Sequence, residues 1–256
     1  MAMQQNSSQG LSGAPASTVD PAEVAKFSKL SDEWWDPKGK MAPLHKINPL
    51  RLAYIRDAAC RKFERNVKSL NCLSGLRILD IGCGAGLLCE PFTRLGAQVI
   101  GVDPSASNIA AARLHADKGH LSIDYRCTTV EQMDVRERFD IVLAMEVVEH
   151  VTDVGLFLKR CAAMLKPGGM MVISTLNRNW KSFALAIVGA EYVLRWLPRG
   201  THQWDKFVTP EELESALQAG GLHRIGESGV IYNLLADKWQ LSSDMDVNYM
   251  VVAEGA

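Results

Sequence analysis

No C-x-x-C pair occurs in this 256-residue chain. Its six cysteines (Cys60, Cys72, Cys83, Cys89, Cys127 and Cys161) are scattered. That spacing argues against a zinc ribbon or a disulfide framework and suits a reducing cytosol. A basic excess is also missing: 28 Lys and Arg stand against 29 Asp and Glu, a formal net charge of −1. With nothing to balance a phosphate backbone, nucleic acid is not an expected partner. The first twenty residues hold no Arg and no apolar core. Being rich in Ser, Gln, Gly and Ala, residues 1–20 read as a disordered tail, neither a secretion signal nor a transit peptide. Internal repeats are absent. What remains, 47% hydrophobic and 22% charged, is the composition of one large domain that can bury a sizeable core.

From residue 77 the chain alternates strand and helix patterns. RILDIG (77–82) is a short apolar run, and GLLCEPFTRLG (86–96) is helix-like and closes on Gly96. QVIGVD (98–103) is a second strand ending in an acid; residues 105–119 form an Ala-rich helix with Ser105 or Ser107 as its cap. IDYRCTT (123–129) alternates as a third strand. FDIVLAMEVVEHV (139–151) starts as a buried fourth strand. A helix over 152–165 with Thr152 at its cap, a K-P-G-G turn and a fifth strand over 170–177 follow. Such alternation predicts an α/β fold with a mainly parallel sheet, covered on both faces. TPEE (209–212) is a capping box. GVIYN (229–233) and NYMVVAE (248–254) read as two late strands, arranged as a hairpin.

LDIGCGAG (79–86) raises the question of a ligand. In a doubly wound sheet, ligands bind beyond the carboxyl ends of the strands. Gly82, Gly84 and Gly86 give G-x-G-x-G, with Leu87 where the dinucleotide fingerprint needs its last glycine. A P-loop would need a Lys-Ser/Thr pair, which is absent. Asp80 would repel a pyrophosphate and suits a ligand carrying positive charge. Asp103, ending the second strand, can accept both hydroxyls of a ribose. A ribose with a cationic, phosphate-free tail describes S-adenosylmethionine.

D-I-G-C-G-A-G, the acid ending the next strand, and L-K-P-G-G before the fifth strand resemble the class I S-adenosylmethionine-dependent methyltransferases. More specific are F-S-K-L-S-D-E-W-W-D (27–36), P-L-H-K-I-N-P-L-R-L (43–52), S-T-L-N-R-N (174–179), V-G-A-E-Y-V-L-R (188–195), G-T-H (200–202) and V-N-Y-M (247–250). From about residue 22 to 253 the chain resembles the ubiquinone-biosynthesis O-methyltransferases. The resemblance implies a Rossmann-like fold with a seven-stranded sheet, an N-terminal helical cap (21–70) and a lid insertion (177–208) within a domain over 21–256. It implies methylation of ring hydroxyls on polyprenylated phenol and catechol intermediates, often at two steps. Cofactor contacts carried over by position are Arg51, Gly82, Asp103 and Met145, joined by Asp80 and Gly84 of the glycine turn. Arg51 would pair with the methionine carboxylate. Ala85 departs from the family, where a third consecutive glycine is common. The resemblance also implies a bacterial cytoplasmic enzyme at the inner-membrane face, in contact with other enzymes of ubiquinone biosynthesis.

E-V-V-E-H (146–150) lies just past the fourth strand. If it begins a helix, Glu146, Glu149 and His150 at i, i+3 and i+4 share a face. Two chemistries suit that trio. One is a divalent-metal site, magnesium by preference, that holds the two oxygens of a catechol. The other is a general base, with His150, beside Glu149, taking the phenol proton. The apolar segment 180–200 carries aromatics and basic residues but is broken by Glu191 and Arg195. It reads as a lid helix, as a helix lying on anionic membrane lipids, or as both.

Overall fold

The computed structural model describes residues 17–182, 204–233 and 236–255. Two helices precede the sheet: α1 (Pro21–Ser28), capped by Asp20, and α2 (Ala42–Lys62). Strands and helices then alternate as β1 (Arg77–Ile81), α3 (Cys89–Arg94), β2 (Gln98–Asp103), α4 (Ala106–Lys118), β3 (Asp124–Cys127), β4 (Phe139–Met145), α5 (Val154–Ala163) and β5 (Leu165–Leu176). The capping-box helix α6 (Pro210–Ala219), β6 (Leu222–Asn233), β7 (Lys238–Ser242) and β8 (Asn248–Gly255) complete the chain.

One eight-stranded sheet runs in the order β3-β2-β1-β4-β5-β8-β6-β7. The first five strands are mutually parallel, and β8, β6 and β7 are joined antiparallel. Both faces of the central strands are apolar, because alternate side chains point to opposite faces. Ile78, Ile141 and Leu143 pack toward α2, α3 and α4. Leu79, Val142 and Ala144 pack toward α5 and α6. The order reverses between β1 and β4, so a cleft opens beyond their carboxyl ends.

Several boundaries differ from expectation. The sheet has eight strands, not seven. The added one is β7, whose residues KWQLS are only half-buried and so lack a strong alternation. The hairpin joins β6 to β7, while β8 inserts between β5 and β6. The K-P-G-G turn is an irregularity inside β5, with Gly168 at φ 75°. Helix α5 is capped by Asp153, not Thr152, because the Asp153 side chain accepts from Leu156 N–H. Ser105 caps α4 as expected. The expected tail ends early: Thr18 is buried, Val19 bridges Val151, and Asp20 pairs with Lys206 at 3.0 Å. Residues 1–16 lie outside the described residues, as does the lid segment from 183 to 203.

Candidate active site

A cavity of about 690 Å³ lies over the carboxyl ends of β1, β2 and β4, beneath α1 and α2. Asp80, Gly82, Asp103, Met145, Glu146, Glu149, His150 and Arg51 all line it. Gly84 does not. Its φ is +54°, and a Cβ there would meet the Trp34 ring at 2.4 Å. Trp34 in turn donates its indole N–H to Asn108 Oδ1 (3.2 Å), and Trp35 donates to the Ala85 carbonyl (3.0 Å). The W-W pair therefore clamps the glycine turn from outside. Gly82 is the position that faces the ligand side, at φ +67° and with Val147 2.7 Å from any added Cβ.

Asp103 is already heavily engaged. Its Oδ2 accepts from Gly84 N–H (3.0 Å), and its Oδ1 accepts from Ser105 N–H (2.8 Å) and Asn108 Nδ2 (3.3 Å). Burial raises its pKa above the usual carboxylate value, and those donors oppose the shift. Asp80 has fewer compensations. Cys89 Sγ–H donates to it at 3.1 Å, but burial, together with the charge of Asp103, pushes it up to about 7. Asp80 is thus held more protonated than an ordinary carboxylate, and a cationic ligand would favour its ionised form.

The E-V-V-E-H segment is not the α-helix that its spacing suggested. Only Val148–His150 are helical, as a 3₁₀ turn, and Glu146 stands before it at φ 56°. A left-handed glutamate is strained and persists because several bonds hold it. Glu146 Oε1 accepts from Arg51 Nη2 (2.6 Å), Ser174 Oγ (2.8 Å) and Asn248 Nδ2 (3.1 Å). Glu149 turns inward, where Thr175 Oγ1 donates to its Oε2 (2.9 Å). Its Oε1 is buried with no hydrogen-bond partner. Burial, then the charge of Glu146, pushes Glu149 well above the usual carboxylate range. His150 leaves the pair and meets α1: its Nδ1 lies 3.1 Å from Glu23 Oε2, and Phe27 packs edge-on against its ring. The His150 hydrogen bond is the main reason that Glu23 is held down to about 2. The shared helical face is therefore corrected to two contiguous carboxylates and a separate imidazole.

Sequence reasoning missed Glu23, Ser174 and Asn248. Asn248 carried a signal, as a polar residue opening an otherwise apolar strand. Arg51 lines the cavity, is 4% exposed, and pairs with Glu146 at 2.6 Å. Its Nε is buried without a partner and remains available to an anionic group.

A metal ion at Glu146, Glu149 and His150 can be tested against the donors present. Among the described residues, no group of three or more His, Cys, Asp or Glu is arranged to hold an ion. Two of the three groups fit an oxygen-ligated ion, and His150 stands apart from them. Glu149 keeps an unpartnered buried oxygen beside a second carboxylate. Glu23 holds the Nδ1 side of His150, as outer carboxylates do for metal-binding imidazoles, so Nε2 is the ring nitrogen outside that pair.

A family model described as a methyltransferase domain matches residues 51–225. The ubiquinone biosynthesis O-methyltransferase of Bradyrhizobium sp. (strain ORS 278) is 82% identical over 247 residues, 96% of this chain and 98% of that protein. The protein of the same name from Rhodopseudomonas palustris (strain BisB18) is 78% identical over 256 residues, 100% of this chain and 99% of that one. Among solved structures, magnesium protoporphyrin IX methyltransferase from Synechocystis PCC 6803 with bound S-adenosylmethionine superposes with a TM-score of 0.62. It is 14% identical and covers 91% of this chain and 97% of that one. A methyltransferase from Clostridium acetobutylicum gives 0.60 at 13% identity, over 90% of this chain and 99% of that one. These two share the fold.

Proposed function

The chain belongs to the ubiquinone biosynthesis O-methyltransferases and is an S-adenosylmethionine-dependent enzyme of that pathway; we propose that it methylates ring hydroxyls of polyprenylated phenol and catechol intermediates at both O-methylation steps. The observation that carries this reading is a single cavity joining two halves. Gly82 and Asp103 lie at one end, where a nucleoside is held. Glu146, Glu149 and His150 lie at the other, where an oxygen can be deprotonated.

Chemistry follows from placement. The cofactor's sulfonium transfers its methyl group in line to a ring oxygen, so catalysis is mainly positioning of the two reacting atoms. Arg51 Nε faces the place of the methionine carboxylate, and Asp80 that of the ammonium. Met145, 8% exposed at the end of β4, packs beside the cofactor. Arg51 pairs with Glu146, and the charge of Glu146 makes ionisation of Glu149 harder unless a cation is near.

Glu146, Glu149 and His150 Nε2 are the groups that would hold a divalent cation, with magnesium favoured by the oxygen donors. When bound, it would make the phenol more acidic by stabilising its anion. A second reading is supported by the Glu23–His150 bond: a carboxylate on Nδ1 fixes the tautomer in which Nε2 is a general base. Membrane contact is part of the proposal. No helix of the described residues is long and apolar enough to cross a membrane. Trp180, 79% exposed and stacked near Trp204, flanks the lid segment and suits a lipid interface at the inner-membrane face. There the enzyme would meet its prenylated substrates and its pathway neighbours.

The test is transfer of labelled methyl from S-adenosylmethionine to a short-chain catechol, with and without EDTA. Turnover supports the O-methyltransferase reading, and no turnover under any condition defeats it. Loss in EDTA with recovery on added magnesium favours the cation. Full activity in EDTA, with a 10²–10⁴-fold loss in His150→Ala (roughly the share of a general base), favours the base.

A further inference from the structure

Asn248 opens β8 at the floor of the cavity and is 6% exposed. Its amide orientation is set by chemistry. Nδ2 donates to Glu146 Oε1 at 3.1 Å, the oxygen that also pairs with Arg51. Oδ1 therefore points the other way. It is buried and has no hydrogen-bond partner. A buried acceptor left without a partner is costly, so its retention in a binding cavity points to a donor brought by a ligand.

Position decides which ligand. The nucleoside end of the site lies over β1 and β2. Asn248 pairs across the sheet with Leu176 of β5 and Val230 of β6. From β1 the path runs through β4 and β5 to β8. Three strand spacings of roughly 4.8 Å put it about 14 Å away, beyond the adenosine and on the side of the methyl acceptor. Its neighbour there is Glu146, on whose Oε1 Arg51, Ser174 and Asn248 converge.

We infer that Asn248 recognises the ring hydroxyl next to the oxygen being methylated, accepting that hydroxyl's hydrogen bond on Oδ1. This rests on the O-methyltransferase reading above. An amide oxygen is too weakly basic to take the proton, so the neighbouring hydroxyl stays neutral and only one oxygen is presented for transfer. Asn248 thus makes the site selective for vicinal diols over lone phenols. It also ties selectivity to Glu146, since one side chain donates to the carboxylate from its amide nitrogen and accepts from the acceptor ring on its oxygen.

The experiment uses the full chain loaded with S-adenosylhomocysteine, in magnesium buffer. Calorimetry measures binding of a short-chain catechol and of the matching phenol that lacks the second hydroxyl. The parent should prefer the catechol by at least about tenfold, the value of one net hydrogen bond. Asn248→Leu, which keeps the branched shape, and Asn248→Ala, as a second variant, should each lose about tenfold of that preference while still binding S-adenosylhomocysteine. An unchanged preference in both variants overturns the inference. So does equal weakening of catechol and phenol, because Asn248 would then only brace Glu146. Turnover by the parent is scored separately: its absence defeats the O-methyltransferase reading, whatever the variants bind.

Discussion

Asp103→Ala should damage two properties at once, by separable amounts. The carboxylate takes three donors from the protein: Gly84 N–H, Ser105 N–H and Asn108 Nδ2. Ser105 and Asn108 are 3% and 1% exposed, so water does not replace the lost acceptor easily. Orphaning a buried donor costs about 1–3 kcal/mol, and three such losses sum to roughly 3–6 kcal/mol, allowing for partial relaxation. For a domain of this size each kcal/mol lowers the melting temperature by about 2–4 °C, so a fall on the order of 10 °C or more is expected. The cofactor effect is smaller than a fully free carboxylate would give. Two oxygens offer about four acceptor positions, and three are occupied. One strong bond to a ribose hydroxyl remains, which is narrower than the two expected from the sequence. Its loss should weaken S-adenosylhomocysteine by about 1.5–3 kcal/mol, or roughly 10- to 150-fold. Melting curves with and without ligand, and calorimetry well below the melting point, read the two effects. A variant that melts lower but binds as tightly as the parent would remove Asp103 from the ribose site. One that melts like the parent would refute its role in bracing the glycine turn.

Three further outcomes follow from the same geometry. Gly84→Ala places a Cβ 2.4 Å from Trp34 at φ +54° and should cost roughly 2–5 kcal/mol from overpacking and left-handed backbone together; a parent-like melting curve would contradict this, and Trp34→Leu in the same chain should recover the steric share. Asp80, raised from 3.8 to about 7, binds its proton more tightly folded than unfolded, so the ligand-free protein should lose stability as pH rises from about 4 through 7. Asp80→Asn should flatten that slope. Affinity for the cationic cofactor should rise over the same window, with proton release detectable by calorimetry in buffers of different ionisation enthalpy; a flat profile would sink the assignment. The protein should co-sediment with anionic liposomes, less so at high salt, and deletion of 180–199 should reduce it; equal sedimentation would leave the segment as a lid alone.

Much of the fold was legible because its signals are local. Apolar runs ending in Gly82 and Asp103, the Ser105 cap and the Thr209–Glu212 capping box each depend on a few adjacent residues. The misses share a cause. The β7 strand is too exposed to alternate clearly. K-P-G-G looks like a turn in isolation, but pairing with β4 carries the strand through it. The E-V-V-E-H reading assumed that i, i+3 and i+4 imply one face. That rule holds only once the backbone is an α-helix, and the bonds from Arg51, Ser174 and Asn248 hold Glu146 out of one.

By itself, the sequence determined the α/β class, the glycine turn, the residues that end each central strand, and, through its quoted segments, the family. These are properties of periodicity and of short contiguous patterns. Tertiary structure alone decided which distant residues meet. Positions 51, 146, 174 and 248 converge on one carboxylate because β8 inserts beside β5 while α2 closes over β4. Glu23 reaches His150 because the segment before α1 bridges to Val151. Hydrophobic pattern tells a strand which face to bury. It does not say which strand lies next to it, and the chemistry of this site depends on that neighbour.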